Sequence, residues 1–199
     1  MILTIVLFVS AYLMGSIPTA VWYAGYFHNI DIRQHGSKNA GATNSLRVLG
    51  KKAGIIVLIV DALKGLIPVL VAKYFGLPDT TSFLIGLIAI IGHLLPIFSG
   101  FKGGKGVATS LGVIIAVSPL GALISLAAFI LVVIISGYVS LGSLLAAMVF
   151  VIYFLLGSPD FYMSAIAFGV LVLLVFTHRA NIKRLMEGSE NKFSRKKSN

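Results

Sequence analysis

The chain has 199 residues, of which 58% are hydrophobic, and its mean hydropathy is +1.00. This composition is too apolar for a protein surrounded by water, and it indicates an integral membrane protein. Lys and Arg outnumber Asp and Glu 16 to 6, so the net charge of +10 indicates anionic partners. Because the basic residues lie in short loops without interleaved aromatic residues, nucleic acid is not expected among those partners. The chain contains no cysteine, which excludes disulfides and thiolate nucleophiles.

Apolar runs follow one another along the chain, and a bilayer core of about 30 Å requires about 20 helical residues. The first run, residues 2–24, is expected to be a retained helix rather than a cleaved signal, since no basic residues precede it. The apolar region from 107 to 156 is too long for one helix, and breaks at Ser118-Pro119 and at residues 136–138 divide it. The predicted helices therefore cover residues 2–24, 53–72, 82–98, 107–117, 120–136, 141–156 and 161–176.

Loop charge predicts the topology. Fourteen of the sixteen Lys and Arg residues lie in three segments, namely 28–52, the turn after the third helix, and everything after the last helix. Because cytoplasmic loops are enriched in Lys and Arg, all three segments are predicted to be cytoplasmic. An even number of crossings must then separate Lys105 from Arg179.

The result is an all-α polytopic membrane protein with seven transmembrane helices, the N-terminus outside and the C-terminus cytoplasmic. We expect a single integral membrane domain over residues 1–199, with a basic, flexible tail at 188–199. The 107–117 helix would extend only about 17 Å at 1.5 Å per residue. It is therefore expected to be buried among its neighbours or extended into the preceding glycine turn.

The first cytoplasmic loop, from Arg33 to Arg47, is dense in Gly, Ser, Thr and Asn. Such a loop can offer amides and hydroxyls to an anion, and an arginine adds a planar fork for two phosphate oxygens. The same residues are typical of turns and helix caps, so an ordinary polar loop is the alternative. The expected contacts are Ser37, Asn39, Asn44 and Arg47.

The second loop reads Gly100-Phe-Lys-Gly-Gly-Lys-Gly106 and leads directly into an apolar helix. Glycines let the backbone approach a phosphate closely, and a helix N-terminus presents unpaired amides to it. A nucleotide P-loop is disfavoured, because the spacing is one residue short and Gly106 stands where Ser or Thr would bind magnesium. The alternative is a flexible basic turn without a ligand.

The third loop follows the last apolar run. His178 and Asn181 lie three residues apart, which places them on one helix face. Together they could orient or deprotonate a hydroxyl, although a merely solvated histidine is the alternative. Glu187 is expected to pair with Lys183 or Arg184 in a structural role.

Two charged residues fall inside a predicted transmembrane helix. Asp61 and Lys64 are three residues apart, and charges within the membrane are usually paired or functional. We expect a structural ion pair, with a role beneath the active site as the alternative. His93 lies close enough along the chain to the glycine turn to support it.

The residues alone leave two functions open, an enzyme that joins a soluble phosphate to a lipid or a membrane carrier for an organic phosphate. A carrier is expected to hold its polar groups near the bilayer midplane on broken helices. Nearly all polar groups here cluster at one interface, which favours the enzyme.

Together the three loops resemble the bacterial acyl-phosphate:glycerol-3-phosphate acyltransferases of membrane phospholipid synthesis. The matching stretches are Gly36 to Arg47, Gly92 to Pro96 with Phe101 to Thr109, and His178 to Leu185. The resemblance implies transfer of a fatty acyl group from acyl phosphate to the 1-position of glycerol 3-phosphate, which yields lysophosphatidic acid and phosphate. It also implies the bacterial inner membrane, an active site at its cytoplasmic face, and no cofactor or metal.

The resemblance further assigns site residues. It implies essential roles for Ser37 and Arg47, a catalytic contribution from His178 and Asn181, and a structural role for Glu187. The second loop would bind glycerol 3-phosphate through Lys102, Gly103, Gly104, Lys105 and Gly106, with Lys105 also catalytic. Because acyl phosphate has a good leaving group, positioning and electrostatics could suffice. Our hypothesis is direct attack of the 1-hydroxyl without an acyl-enzyme, the proton passing to His178 or to a donor phosphate oxygen.

Overall fold

The computed structural model describes residues 1–157 and 160–193, and every regular element in this part of the chain is a helix. The helices form two compact units, the second of which begins at Pro119. The first unit contains α1 Ile2–Gly15, α2 Thr19–His28, α3 Ala42–Leu49, α4 Lys51–Tyr74, α5 Asp79–Leu94 and α6 Val107–Val117, with 3-10 turns at Ile32–Gln34 and Ile97–Ser99. The second contains α7 Pro119–Ser136, α8 Val139–Gly157, α9 Phe161–Thr177 and α10 Arg179–Met186. The single domain over 1–199 stays a prediction, and residues 194–199 of the predicted flexible tail lie outside the described residues.

Four helices are long and apolar enough to cross a bilayer, namely α4, α5 extended to Ser99, α7 and α8. Two bent pairs, α1 with α2 and α9 with α10, raise the count within the described chain to six if each pair is one span. Large apolar side chains such as Ile134 and Ile135, each 76% exposed, point outward as lipid-facing residues do. The all-α, multi-pass membrane architecture is confirmed, while the seven-span count and its orientation stay predictions.

The breaks in the apolar sequence predict most helix boundaries. The three middle helices begin and end within two residues of the predicted positions. The prediction of one uninterrupted helix over 2–24 is wrong, because the chain bends by 40° between α1 and α2. Proline disfavours the helical conformation of the residue before it, so a break precedes Pro18, with α1 ending at Gly15 and α2 beginning at Thr19.

The short helix α6 is buried in the first unit, as expected from its length. Its buried residues include Val113 and Ile114, and it packs against α4 and α5. Gly112 allows the closest approach, since a Cβ atom there would collide with the backbone carbonyl of Ala62 in α4. Close backbone contact through small residues is typical of helix packing in membranes. The glycine loop before α6 therefore leads into a helix that is packed closely against its neighbours.

The second unit is built around an α7–α8 hairpin with α9 against α8. Phe150 and Phe154 of α8 are buried and pack edge to face, with ring centroids 5.0 Å apart. At Thr177 the chain turns by 62° from α9 into α10. This turn carries the third sequence motif.

Candidate active site

The first loop is held by Asn44, which is buried at the N-terminal end of α3. Its side-chain oxygen accepts a hydrogen bond from the Ser37 amide at 2.8 Å, and its nitrogen donates to the carbonyls of Ile32 at 3.2 Å and His35 at 3.0 Å. These bonds fix the loop backbone over a dozen residues. The structure thus gives Asn44 a loop-holding role, and its predicted contact with substrate stays a prediction.

The other predicted residues of this loop are accessible. Ser37 and Arg47 are exposed, and Asn39 is half-buried. An anion approaching the loop could therefore reach a hydroxyl, an amide and a guanidinium without rearrangement of the backbone.

Arg33 connects the first loop to the turn after α5, a contact that sequence reasoning missed. Its guanidinium donates to the Asp31 carboxylate at 2.8 Å and to the Ser99 carbonyl at 3.2 Å. The hydrogen bond from Arg33 lowers the pKa of Asp31 although partial burial opposes it, and the same bond raises the pKa of Arg33. Both groups therefore stay charged at neutral pH.

The second loop lies directly against the first. The amide of Gly104 donates to the His93 carbonyl at 3.2 Å. A Cβ atom on Gly104 would collide with Nε2 of His93 and would lie 2.7 Å from the Ala40 carbonyl of the first loop. Glycine at this position thus allows the two loops to touch.

The remaining residues of the second loop prepare the start of α6. Gly106, with φ of +84°, is the N-cap of this helix. Lys105 is half-buried and Lys102 is exposed. The predicted arrangement, a glycine turn and a lysine before a helix N-terminus, is present.

A buried ion pair lies in the same unit. Lys64 Nζ is 2.8 Å from Asp61 Oδ1, and the two side chains are 3% and 2% exposed. The ion pair expected from the sequence is therefore confirmed. Asp61 also accepts from the Thr19 hydroxyl at 2.9 Å, and Lys64 donates to the Ile17 carbonyl at 2.8 Å, an acceptor freed by the break before α2.

In the second unit, His178 is 2% exposed, and its Nδ1 lies 2.8 Å from the Leu174 carbonyl. A carbonyl oxygen only accepts hydrogen bonds, so this contact places the ring proton on Nδ1. The neutral ring then carries its lone pair on Nε2. Such a nitrogen can accept a proton from a hydroxyl.

Asn181 lies on the first turns of α10 and is held by a carboxylate that sequence reasoning did not single out. Its amide donates to Glu190 Oε1 at 2.6 Å, and the same carboxylate accepts from Ser140 at 2.9 Å and Arg184 at 2.7 Å. Burial alone would raise the pKa of Glu190, but the hydrogen bonds from Asn181, Arg184 and Ser140 together lower it.

The predicted pairing of Glu187 with Lys183 is confirmed, and the structural role expected of Glu187 stays a prediction. Glu187 forms the expected pair with Lys183, but at 3.8 Å and with half of its side chain exposed. The Glu190 side chain is only 7% exposed, and its partners come from both α8 and α10. Spacing along α10 predicts the surface pair of Glu187 with Lys183. The carboxylate that is buried is that of Glu190, which lies beyond the end of the helix.

Similarity to known proteins identifies the family to which the chain belongs. The family model described as glycerol-3-phosphate acyltransferase matches residues 5–188. The chain belongs to this family. A glycerol-3-phosphate acyltransferase of Fusobacterium nucleatum is 47% identical over 185 residues, which are 93% of this chain and 95% of that protein. One from Geotalea daltonii is 47% identical over 191 residues, covering 96% and 98%.

Solved structures agree with the sequence relatives. A crystal structure of the integral membrane glycerol 3-phosphate acyltransferase PlsY, in its glycerol 3-phosphate form, matches with a TM-score of 0.92 and 41% identity over 96% of each chain. The lysophosphatidic acid form of that enzyme matches with a TM-score of 0.88 and 40% identity over 96% of this chain and 95% of that one. This chain is accordingly an acyltransferase of the membrane.

Proposed function

We propose that the protein transfers a fatty acyl group from acyl phosphate to the 1-hydroxyl of glycerol 3-phosphate, releasing lysophosphatidic acid and inorganic phosphate. The observation that supports this proposal is the close approach of the two loops that are predicted to bind anions, in which Gly104 lies near the Ala40 carbonyl. Each substrate bears a phosphate, so adjacent anion sites are what such a reaction requires.

The second loop binds glycerol 3-phosphate in this proposal. The Gly104 amide is already bonded to the His93 carbonyl, so the amides of Gly103 and Gly106 and the N-terminus of α6 face the phosphate, and Lys105 and Lys102 balance its charge. In the first turn of α6, the buried hydroxyls of Thr109 and Ser110 have no hydrogen-bond partner within the described residues. Buried polar atoms are nearly always paired, so these hydroxyls favour a polar ligand at this helix end.

The first loop binds the phosphate of the donor. The guanidinium of Arg47 matches two phosphate oxygens, and Ser37 and Asn39 add hydrogen bonds. Because Asn44 and Arg33 already fix the loop backbone, these groups are held in place before the donor binds.

The reaction is direct. The 1-hydroxyl oxygen forms a bond to the acyl carbonyl carbon, and the bond from that carbon to the phosphate oxygen breaks. The leaving phosphate takes the electron pair, and its growing charge is stabilised by Arg47 and Lys105. The hydroxyl proton passes to Nε2 of His178, which Asn181 helps to orient, or to an oxygen of the departing phosphate.

The site is proposed to work at the cytoplasmic face of a bacterial inner membrane, in a topology of seven spans with the N-terminus outside. The concentration of Lys and Arg in three segments supports this orientation. Single cysteines introduced near Arg47, Lys105 and His178 should all be labelled from one side of sealed vesicles. Labelling of these segments from opposite faces would overturn the proposed site.

The activity test uses the purified full chain in proteoliposomes with labelled glycerol 3-phosphate. With acyl phosphate present, we expect one lysophosphatidic acid and one phosphate per acyl group consumed, without acyl carrier protein or coenzyme A. Uptake of glycerol 3-phosphate with no lysolipid would instead identify a carrier. Isolation of an acylated Ser37 after mixing with acyl phosphate alone would contradict direct transfer.

A further inference from the structure

His93 lies between the buried ion pair and the glycine loop. Its Nδ1 is 3.9 Å from Asp61 Oδ1 and its side chain is 6% exposed. At its other ring nitrogen, Nε2 occupies the space that a Cβ atom on Gly104 would need. Nδ1 has no hydrogen-bond partner within the described residues, so the ring packs between the ion pair and the loop proposed to bind phosphate without a hydrogen bond to Asp61.

The charges beneath His93 form a fixed base. Asp61 is held by Lys64 at 2.8 Å and by Thr19 at 2.9 Å, while Lys64 also bonds the Ile17 carbonyl at 2.8 Å. Removing either partner of a buried ion pair leaves an uncompensated charge, so this arrangement resists displacement. It joins α4 to the residues at the α1–α2 break.

His93 holds Gly104 from two directions. Its carbonyl accepts the Gly104 amide hydrogen at 3.2 Å, and its ring blocks movement of the Gly104 backbone toward α5. The Ala40 carbonyl limits the same space, since it would lie 2.7 Å from a Cβ on Gly104. The histidine therefore contacts Gly104 through both its backbone carbonyl and its ring.

We propose that His93 is a positioning residue for the acyl transfer, holding the Gly103–Gly106 loop in the geometry that binds glycerol 3-phosphate. This inference rests on the proposed function. Loss of the ring lets the loop move and changes binding of the substrate that the loop holds, while the donor, bound by the first loop, is affected much less. A residue that only fills space would lower stability without separating the two substrates.

The experiment compares His93→Ala and His93→Gln with wild type in the proteoliposome assay. In His93→Ala, KM for glycerol 3-phosphate should rise about tenfold or more, since a shift of about 1 Å in a positioned group can cost up to about 10²-fold. KM for acyl phosphate should stay within about twofold of wild type under the same argument. His93→Gln, which carries an amide near the place of Nε2, should recover part of the loss.

Ser16→Ala is the matched control. Ser16 is fully buried in the same unit, and its hydroxyl has no hydrogen-bond partner among the residues that the structure describes. It should leave both KM values unchanged. Equal KM values for glycerol 3-phosphate in wild type and His93→Ala, or equal rises for both substrates, would overturn the inference.

A second measurement does not depend on turnover. Glycerol 3-phosphate should raise the Tm of the wild type, because a ligand that binds only the folded state stabilises it, and the same concentration should raise the Tm of His93→Ala much less. If the wild type forms no lysolipid but this difference persists, the proposed reaction fails and the positioning role stands. If glycerol 3-phosphate does not affect the wild-type Tm, the proposed reaction and the positioning role of His93 are both wrong.

Coupling to Gly104 gives a final check. Gly104→Ala inserts a methyl group into the space of the His93 ring. The effects of Gly104→Ala and His93→Ala on KM should therefore be non-additive. The double variant should be less impaired than the product of the two single effects. If the two effects on KM are independent, the His93 ring does not control the position of the loop.

Discussion

The two units of the chain use their buried polar groups differently. In the first, a full ion pair between Asp61 and Lys64 lies among helices at 3% exposure or less, and the glycine loop before α6 belongs to the same unit. In the second, Asn181, Ser140 and Arg184 are joined by hydrogen bonds to a single carboxylate, Glu190, and the tautomer of His178 is fixed by a backbone carbonyl.

In the proposed reaction, the first unit binds the phosphates and the second accepts the proton. Loops that bind phosphates through backbone amides need rigid support, because a displaced amide loses its hydrogen bond altogether. A proton acceptor needs a defined lone pair, which one hydrogen bond to Nδ1 provides for His178. We therefore expect variants of the first unit to impair substrate affinity and charge stabilisation, and variants of the second to impair the chemical step.

The largest effect is expected for Arg47→Ala and Lys105→Ala. Each removes a cationic donor from the developing phosphate charge, and the loss of one such donor typically costs about 10²- to 10³-fold in rate. Because Arg47 is exposed and Lys105 half-buried, the folded state should persist, as judged by Tm.

Lys51→Ala is the control for these variants. Lys51 is an exposed basic residue at the start of α4, four positions after Arg47. It should transfer acyl groups at the wild-type rate. Wild-type activity in Arg47→Ala or Lys105→Ala would remove that residue from the site.

A smaller effect, about 10²-fold in kcat, is expected for His178→Asn if the histidine acts as general base. The asparagine nitrogen can still donate to the Leu174 carbonyl, so local structure is kept while the lone pair of Nε2 is lost. Both KM values should change little, in contrast to His93→Ala. His28→Asn, an exposed histidine at the end of α2, is the control, and full activity of His178→Asn would assign the proton to the departing phosphate instead.

Sequence patterns predict the elements of both units but not their tertiary contacts. Breaks at Ser118-Pro119 and Gly137 predict the middle helices, since proline and glycine act locally on the backbone. The i,i+3 spacing likewise predicts the pair of Asp61 and Lys64. In the first run the strongly apolar composition concealed the effect of Pro18.

Longer-range contacts could not be found in this way. Asn44 bonds carbonyls 9 and 12 residues away, and Glu190 meets a serine 50 residues earlier in the chain. No helical or strand periodicity connects such positions. Local spacing therefore predicts the pair of Glu187 with Lys183. Which carboxylate is buried depends on the path of the chain after α10.

The smallest effect is expected from neutralising that carboxylate, and pH gives its signature. Because the pKa of Glu190 is lowered in the folded protein, its charge stabilises the fold above the ordinary value of 4.5, and this stabilisation is lost as the pH falls through the lower folded value. Glu190→Gln should therefore have a lower Tm than wild type at pH 7, and the difference should shrink below about pH 4.5. Glu187→Gln removes only an exposed pair, worth about 0.3–0.5 kcal/mol, and should differ little from wild type at any pH. Equal Tm losses in the two variants, or a Glu190→Gln difference that does not change with pH, would show that the second unit is not organised around this carboxylate.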